Sequence, residues 1–388
     1  MKKTGIILVI CVILIILAIG VFTYLNKSGN TKVSNSSESQ IKSTDWSDYN
    51  VNEISLTDTL EITKAGIYKL TGTISDGLIK INTDGNVKLI LNGVSITNSS
   101  GPTIYVENAD NVEIETVGGT TNTLTDGKTY TGYEEDVDAC IFSKDDLILS
   151  GNGTLKVVAN YQDAIASKDD LKITGGTYDI KASDDAIRGK DSLEITDGKF
   201  TIDAGGDALK STNETDANKG FILISGGEFN INSKSDGLDA ISNIEINGGT
   251  FDITAREGIE GTYVKINDGT INISASDDGI NASNKSNASQ VKIEINGGNI
   301  NIKMGAGDTD AIDSNGDILI TGGVINITAS SPFDYDGKAE HTGGTITVNG
   351  TTTNEITNQM MGGPQGSAPN EQTNMPNQGR QGGPQGRR

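Results

Sequence analysis

The sequence is poor in the residues from which most active sites are built. His341 is the only histidine in 388 residues. A multi-histidine zinc centre is therefore excluded, and a Ser-His-Asp or Cys-His centre is possible only through that one side chain. Two cysteines, Cys11 inside an apolar run and Cys140, cannot build a disulfide framework or a Cys-rich metal site. Positive charge is also short. There are 30 Lys+Arg against 52 Asp+Glu, a formal net of −22, which repels phosphate backbones and excludes nucleic-acid binding by a basic surface. What the chain has in surplus is carboxylate and glycine, 49 of the latter.

Long apolar runs are confined to the N-terminus. Met1-Lys2-Lys3-Thr4 precedes 21 uncharged residues, Gly5 to Leu25. Two lysines before such a run keep the N-terminus inside and export the remainder. The run is long enough to span a bilayer, whereas Ala18-Ile19-Gly20 is a passable cleavage site, so a signal anchor and a cleaved signal peptide both stand for residues 1–25. Residues 26–48, rich in Ser, Asn, Thr and Lys, read as a flexible linker. Residues 353–388 read as a disordered tail of Gly, Pro and Gln. Setting aside Arg380, Arg387, Arg388 and Glu371 from about Asn358 onward, and Lys2, Lys3 and Lys27 of residues 1–30, leaves 24 basic and 51 acidic residues, a net of −27. The middle is more acidic than the whole.

Residues 49–352 repeat. Two-residue turns recur at Gly175-Gly176, Asp197-Gly198, Gly226-Gly227, Gly248-Gly249, Asp268-Gly269, Gly297-Gly298, Gly322-Gly323 and Gly343-Gly344, their second glycines 22, 29, 22, 20, 29, 25 and 21 apart. The unit is about 22 residues, with polar insertions at Thr212–Lys219 and Asn284–Gln290. Each unit holds three short strands of period two, as in Asp163–Ser167, Leu171–Thr174 and Thr177–Ala182. Like residues recur at like positions: Tyr178, Phe200, Phe229, Phe251, Ile271, Ile300 and Ile325 in the third strand, Leu171, Leu193, Ile222, Ile244, Ile293 and Ile318 in the second. That pattern predicts an all-β, right-handed parallel β-helix, in which each coil buries its apolar residues only by stacking on its neighbours. A leucine-rich repeat lacks its framework here, and the nonapeptide calcium roll lacks its Gly-Gly-x-Gly-x-Asp.

The first strand of each unit opens with a quartet, acid-small-apolar-x. It runs Asp163-Ala-Ile-Ala166, Asp185-Ala-Ile-Arg188, Asp207-Ala-Leu-Lys210, Asp236-Gly-Leu-Asp239, Glu257-Gly-Ile-Glu260, Asp278-Gly-Ile-Asn281, Asp310-Ala-Ile-Asp313 and Ser331-Pro-Phe-Asp334. Stacked coils set equivalent carboxylates ~4.8 Å apart, where two charges repel by roughly 3–4 kcal/mol at an effective dielectric of 20. Most coils offer no Lys or Arg beside the quartet. Ca²⁺ suits such a ladder because it takes 6–8 oxygens. The candidate ligands are Asp184, Asp185, Asp207, Asp236, Asp239, Glu257, Glu260, Asp277, Asp278, Asp308, Asp310 and Asp313. The other reading is that corner acids cap turns. The small second position is expected to floor a flat groove. Arg188 and Lys210 break the acidity at the fourth position. They would bind the carboxylate of an acidic sugar, or merely neutralise neighbouring rungs. Lys210 also stands as a base of depressed pKa, abstracting a proton beside a uronate carboxylate.

The quartets and turns, with Leu91-Asn-Gly-Val-Ser-Ile-Thr-Asn-Ser-Ser-Gly-Pro-Thr-Ile-Tyr-Val106, Asn-Thr-Leu-Thr-Asp126 and Ile141-Phe-Ser-Lys-Asp-Asp-Leu147, resemble the bacterial calcium-associated carbohydrate-binding β-helix proteins, whose fold is like that of pectate lyases. The resemblance runs from about Gly66 to Asn349. It implies a surface protein that binds cellulose-like or acidic polysaccharide, with calcium among the quartet acids. It leaves catalysis open, since the related lyases use a Lys beside calcium. Three functions follow as expectations: calcium-dependent polysaccharide binding with no catalytic residue, a polysaccharide lyase using Lys210 or Arg188, and a non-catalytic adhesin. The expected partners are polysaccharide and, through the N-terminal helix, a membrane; the expected location is the cell surface.

Overall fold

A computed structural model describes residues 41, 43–287, 290–306 and 309–358. The proposed N-terminal anchor, most of the linker, the tail from 359 and the candidate ligand Asp308 lie outside the described residues. Every regular element among those described is a β-strand, and no helix among them is long and apolar enough to cross a membrane.

The strands lie in three columns, and each pairs in parallel with its equivalent one coil on. Ile165 pairs with Ile187, Leu171 with Leu193 and Tyr178 with Phe200, each a step of 22 residues. The chain is thus a β-solenoid, as the repeat predicts. Where Thr212–Lys219 is inserted, Leu209 pairs with Leu238 and Phe200 with Phe229, so the insertion leaves the coil as a loop and register survives. The last coil ends in an antiparallel hairpin, Thr345–Val348 with Thr351–Thr353, which turns the open edge on itself.

Period-two alternation puts one face of each strand inside. Thr177–Ala182, Lys199–Ala204 and Thr250–Ala255 alternate solvent-facing and buried residues along their length. Equivalent rings therefore meet. Tyr178, Phe200, Phe229 and Phe251 stack with centroids 4.9, 4.7 and 4.5 Å apart and planes within 6°. Each buried aliphatic or aromatic side chain contributes roughly 1.5–3 kcal/mol. The turn before this strand needs its second glycine. Gly227 and Gly249 have φ of +111° and +104°, and a Cβ on either would sit 3.1 Å from the preceding coil's turn carbonyl.

The small second position of the quartet does not floor a groove. Ala164, Ala186, Ala208 and Ala311 are fully buried. A Cβ on Gly237 or Gly258 would lie 2.5 and 2.4 Å from the next coil's carbonyl and 2.6 Å from Ile253 and Ile273. These residues are small because the corner turns inward against backbone, where there is no room for more.

The fourth position does face outward, and through parallel pairing it forms one column: Tyr105, Phe142, Ala166, Arg188, Lys210, Asp239, Glu260, Asn281, Asp313, Asp334. Its first rungs are apolar and covered. Tyr130, Tyr133 and Val137 fold over Tyr105, Phe142 and Ala166 as a second, smaller cluster outside the solenoid. Beyond them the column is charged, and there the site begins.

Candidate functional site

The corner acids are bound twice. One oxygen of each of several acids accepts the amide N–H of the next corner: Asp185 N donates to Asp163 Oδ1 (3.2 Å), Asp207 N to Asp185 Oδ1 (2.8 Å), Asp236 N to Asp207 Oδ1 (2.8 Å) and Asp310 N to Asp278 Oδ1 (3.2 Å). Oδ1 therefore does not cap its own turn but stitches coil to coil. At Asp163, Asp185 and Asp207 the other oxygen, Oδ2, meets the cations of the outward column.

Arg188 donates from Nε to Asp163 Oδ2 at 2.6 Å, and its Nη2 lies 2.7 Å from Asp138 without an aligned hydrogen bond. It is 9% exposed, so it neutralises two acids before it can meet a sugar. Lys210 lies 3.0 Å from Asp185 and 2.6 Å from Asp207. Burial alone would lower its pKa, but those two carboxylates outweigh it and hold the ammonium well above the ordinary lysine range. The expectation of a depressed-pKa base at Lys210 is thereby corrected. The same pairing holds Asp207 below the usual carboxylate value although burial pushes it up.

Two further cations were not singled out from the sequence. Arg256, one residue before its quartet, contacts Asp236 (3.0 Å), Glu257 and Asp277 (2.7 Å). Lys285, carried on the second insertion, bonds to both Asp239 and Glu260. The local rule that most quartets lack a cation is correct along the chain and wrong in space. Lys285 is 46 residues from Asp239. The only sequence signal was a lysine in a loop that emerges beside the acid column.

Around these cations the acids converge. Oxygens of Asp207, Asp236 and Asp239, and of Asp236, Glu257 and Glu260, lie within 4.8 Å of one another. Burial, then the charges of Asp207 and Glu257, push Asp236 up to about 8 against the pull of Arg256. Burial raises Glu257 and Asp239 as well. The donors are all hard oxygens, so these groups fit a hard divalent cation and not a soft one.

The remaining candidates lie along the same edge. Asp184 is exposed beside Asp185; Asp277 is held by Arg256; Asp310 accepts from the Ser331 hydroxyl. Asp278 and Asp313 are half-buried, and no lysine or arginine among the described residues pairs with either. A third acidic group, Asp146, Asp169 and Asp170, lies away from the quartets at the turn before the second strand, where Lys219 pairs with Asp169 and Asp191.

Comparison with known proteins agrees with the resemblance drawn from the motifs. A curated "Carbohydrate-binding domain-containing protein" of Acetivibrio thermocellus is 41% identical over 140 residues, 34% of this chain and 49% of the relative. The chain thus spans about half the length of that relative. Among solved structures, a polysaccharide lyase-like protein from C. thermocellum, a gadolinium derivative, is similar at 26% identity, TM-score 0.31, with 76% of this chain and 86% of that one covered. A family model described as "Carbohydrate-binding domain-containing protein" matches residues 57–262 and 255–361, well over half of the chain. On that match, the chain belongs to the carbohydrate-binding domain-containing protein family.

Proposed function

We propose that the chain binds extracellular polysaccharide through divalent cations, Ca²⁺ foremost, held along the quartet column, as a right-handed β-helix spanning 49–352 that is exported by its N-terminal segment. The carrying observation is the convergence of acid oxygens on this column, from Asp207, Asp236 and Asp239 and from Asp236, Glu257 and Glu260, each set within 4.8 Å. Such a face is negative, so it repels an acidic sugar unless a cation bridges the two. Asp207, Asp236, Asp239, Glu257 and Glu260 are the converging ligands. Lys210, a cation of the column whose side chain is 25% exposed, is the residue for a sugar carboxylate.

We favour binding over lyase chemistry on one observation. Proton abstraction needs a neutral amine, and the two carboxylates beside Lys210 keep it charged. The test is affinity-gel retardation on polygalacturonate and on cellulose, in calcium and in chelator. Retardation by at least one polymer that weakens in chelator is expected. Equal mobility in all gels would overturn the reading.

A further inference from the structure

A cavity of about 640 Å³ lies away from the quartet column, at the corner that leads into the second strand. One wall is built by the repeat. Asn86, Asn111 and Asp146 immediately precede Val87, Val112 and Leu147, which pair in parallel register, so the three side chains stand on successive rungs. The facing wall is the segment 43–49, which precedes the first strand, Val51–Leu56. Trp46 fixes that segment: its indole N–H donates to Glu113 Oε2 at 2.8 Å, and the Lys88 ammonium lies 6.0 Å from its ring. Tyr49 meets Trp46 edge to face at 5.3 Å and lines the cavity.

The charge of the lining is of one sign. Asp45, Asp48, Asp110 and Asp146 line it, and no lysine or arginine does. Among the described residues, no lysine or arginine forms an ion pair with any of the four; Lys88 and Lys144, each two residues from the lining, are spent on Glu113 and Glu115 and on Glu134. Nor do these carboxylates converge as a metal site requires. Among the described residues only Asp146 belongs to a group whose oxygens come within 4.8 Å, and its partners there, Asp169 and Asp170, are not part of the lining. Carboxylates spread around an aromatic side chain fit an organic cation better than a small metal ion, because its ammonium meets several of them while its carbon skeleton lies on the ring. Asn86 adds an amide that can both donate to and accept from hydroxyls.

We propose that this cavity binds a cationic sugar, an amino sugar whose ammonium lies among Asp45, Asp48, Asp110 and Asp146 and whose ring stacks on Tyr49. The site stands apart from the cation-bridged column: it takes a ligand of opposite charge to a uronate, and it needs no metal. The volume agrees, since pockets for small ligands run from about 300 to 1,000 Å³. So does the family match, which is to carbohydrate-binding domain-containing proteins. The four carboxylates repel a uronate or a phosphate, and a neutral sugar leaves their charge unmatched.

Trp46 is the only tryptophan in the chain, so its emission reports on the wall that it holds. The test is a titration of the full chain, in chelator, with a trimer of β-1,4-linked glucosamine, with the N-acetylated trimer and with cellotriose, at a pH where the amines are charged, followed by Trp46 emission and by calorimetry. The glucosamine trimer is expected to bind saturably, about tenfold or more tightly than either uncharged trimer, and to weaken as salt is raised. Asp48→Asn with Asp110→Asn removes two exposed charges of the lining. That variant should weaken the trimer by about tenfold or more with the melting temperature unchanged. Glu61→Gln with Glu340→Gln, the same loss of charge at exposed positions elsewhere, should leave the affinity unchanged. Equal weakening by the two double variants would mean general adsorption to an acidic surface, and equal affinity for the uncharged trimers would mean that charge does not select the ligand; either overturns the assignment. A change in Trp46 emission on adding calcium that Asp48→Asn with Asp110→Asn abolishes would make the cavity a metal site and overturn it as well. If the glucosamine trimer does not bind, the amino-sugar site falls and the cation-bridged reading of the column is untouched.

Discussion

Lys285 shows how much a single residue does in this column. Its ammonium is shared by Asp239 and Glu260, whose side chains are each 13% exposed. Replacing it by Met leaves two neighbouring carboxylates without their cation. The expected loss in chelator is a few kcal/mol, below the roughly 3–5 kcal/mol of a fully buried pair broken on one side, because all three groups keep some solvent. Calcium should restore more stability to Lys285→Met than to the unaltered chain, since the metal then meets those oxygens without a competitor. Thermal melting of both proteins in calcium and chelator checks this; an equal calcium shift in the two would show that Lys285 and the metal do not share a site. The corner acids were legible in the sequence because they recur at one position in each unit. Their partners were not. Lys285 reaches Asp239 across two coils, and no spacing rule along one chain records a contact made by a loop in space.

At the scale of elements, the third-strand column is where sequence and structure agree most closely. Tyr178, Phe200, Phe229 and Phe251 occupy one position in successive units, and the structure stacks them. Phe229 has a ring on each side, so Phe229→Ala breaks two stacks at once. It should cost about 3–5 kcal/mol, measured by chemical unfolding, whereas a value under 1 would mean that the coils repack freely. The first-strand column was half legible. Its apolar third position enters the core as the pattern predicts, but the small second position, expected to floor a groove, is buried. Alanine and glycine there report a backbone corner with no space for a side chain. Smallness alone does not distinguish a surface kept open for a ligand from an interior closed against atoms. The cover formed by Tyr130, Tyr133 and Val137 was not legible either, because it lies in a non-repeating segment.

For the whole molecule, the acid surplus divides into charge that the fold neutralises and charge that it stores. The stored part gives a pH dependence of definite sign. Asp236, Asp278 and Asp313 have native values of about 8, 7 and 7 against 3.8 for a free side chain. A raised acid binds its proton more tightly folded than unfolded, so metal-free stability should fall as pH rises from about 4 to about 8. Glu294 contributes the other way: burial raises it, but hydrogen bonds from Lys292, Asn296 and Tyr263 together outweigh burial and lower it to about 2, and its contribution is complete above its free value of 4.5. Melting temperatures in chelator should therefore drop between about pH 5 and pH 8, and calcium should flatten that slope. A metal-free protein that melts higher at pH 8 than at pH 5 would contradict the stored-charge account.

The central claim is that the acid column binds polysaccharide by way of a cation. Equilibrium binding of polygalacturonate to the unaltered chain and to the double variant Asp207→Asn, Asp236→Asn measures it most directly, each in millimolar calcium and in chelator. Saturable binding that is lost in chelator and weakened in the variant is predicted. Binding of equal strength in chelator and in calcium, or unchanged in the variant, would contradict it.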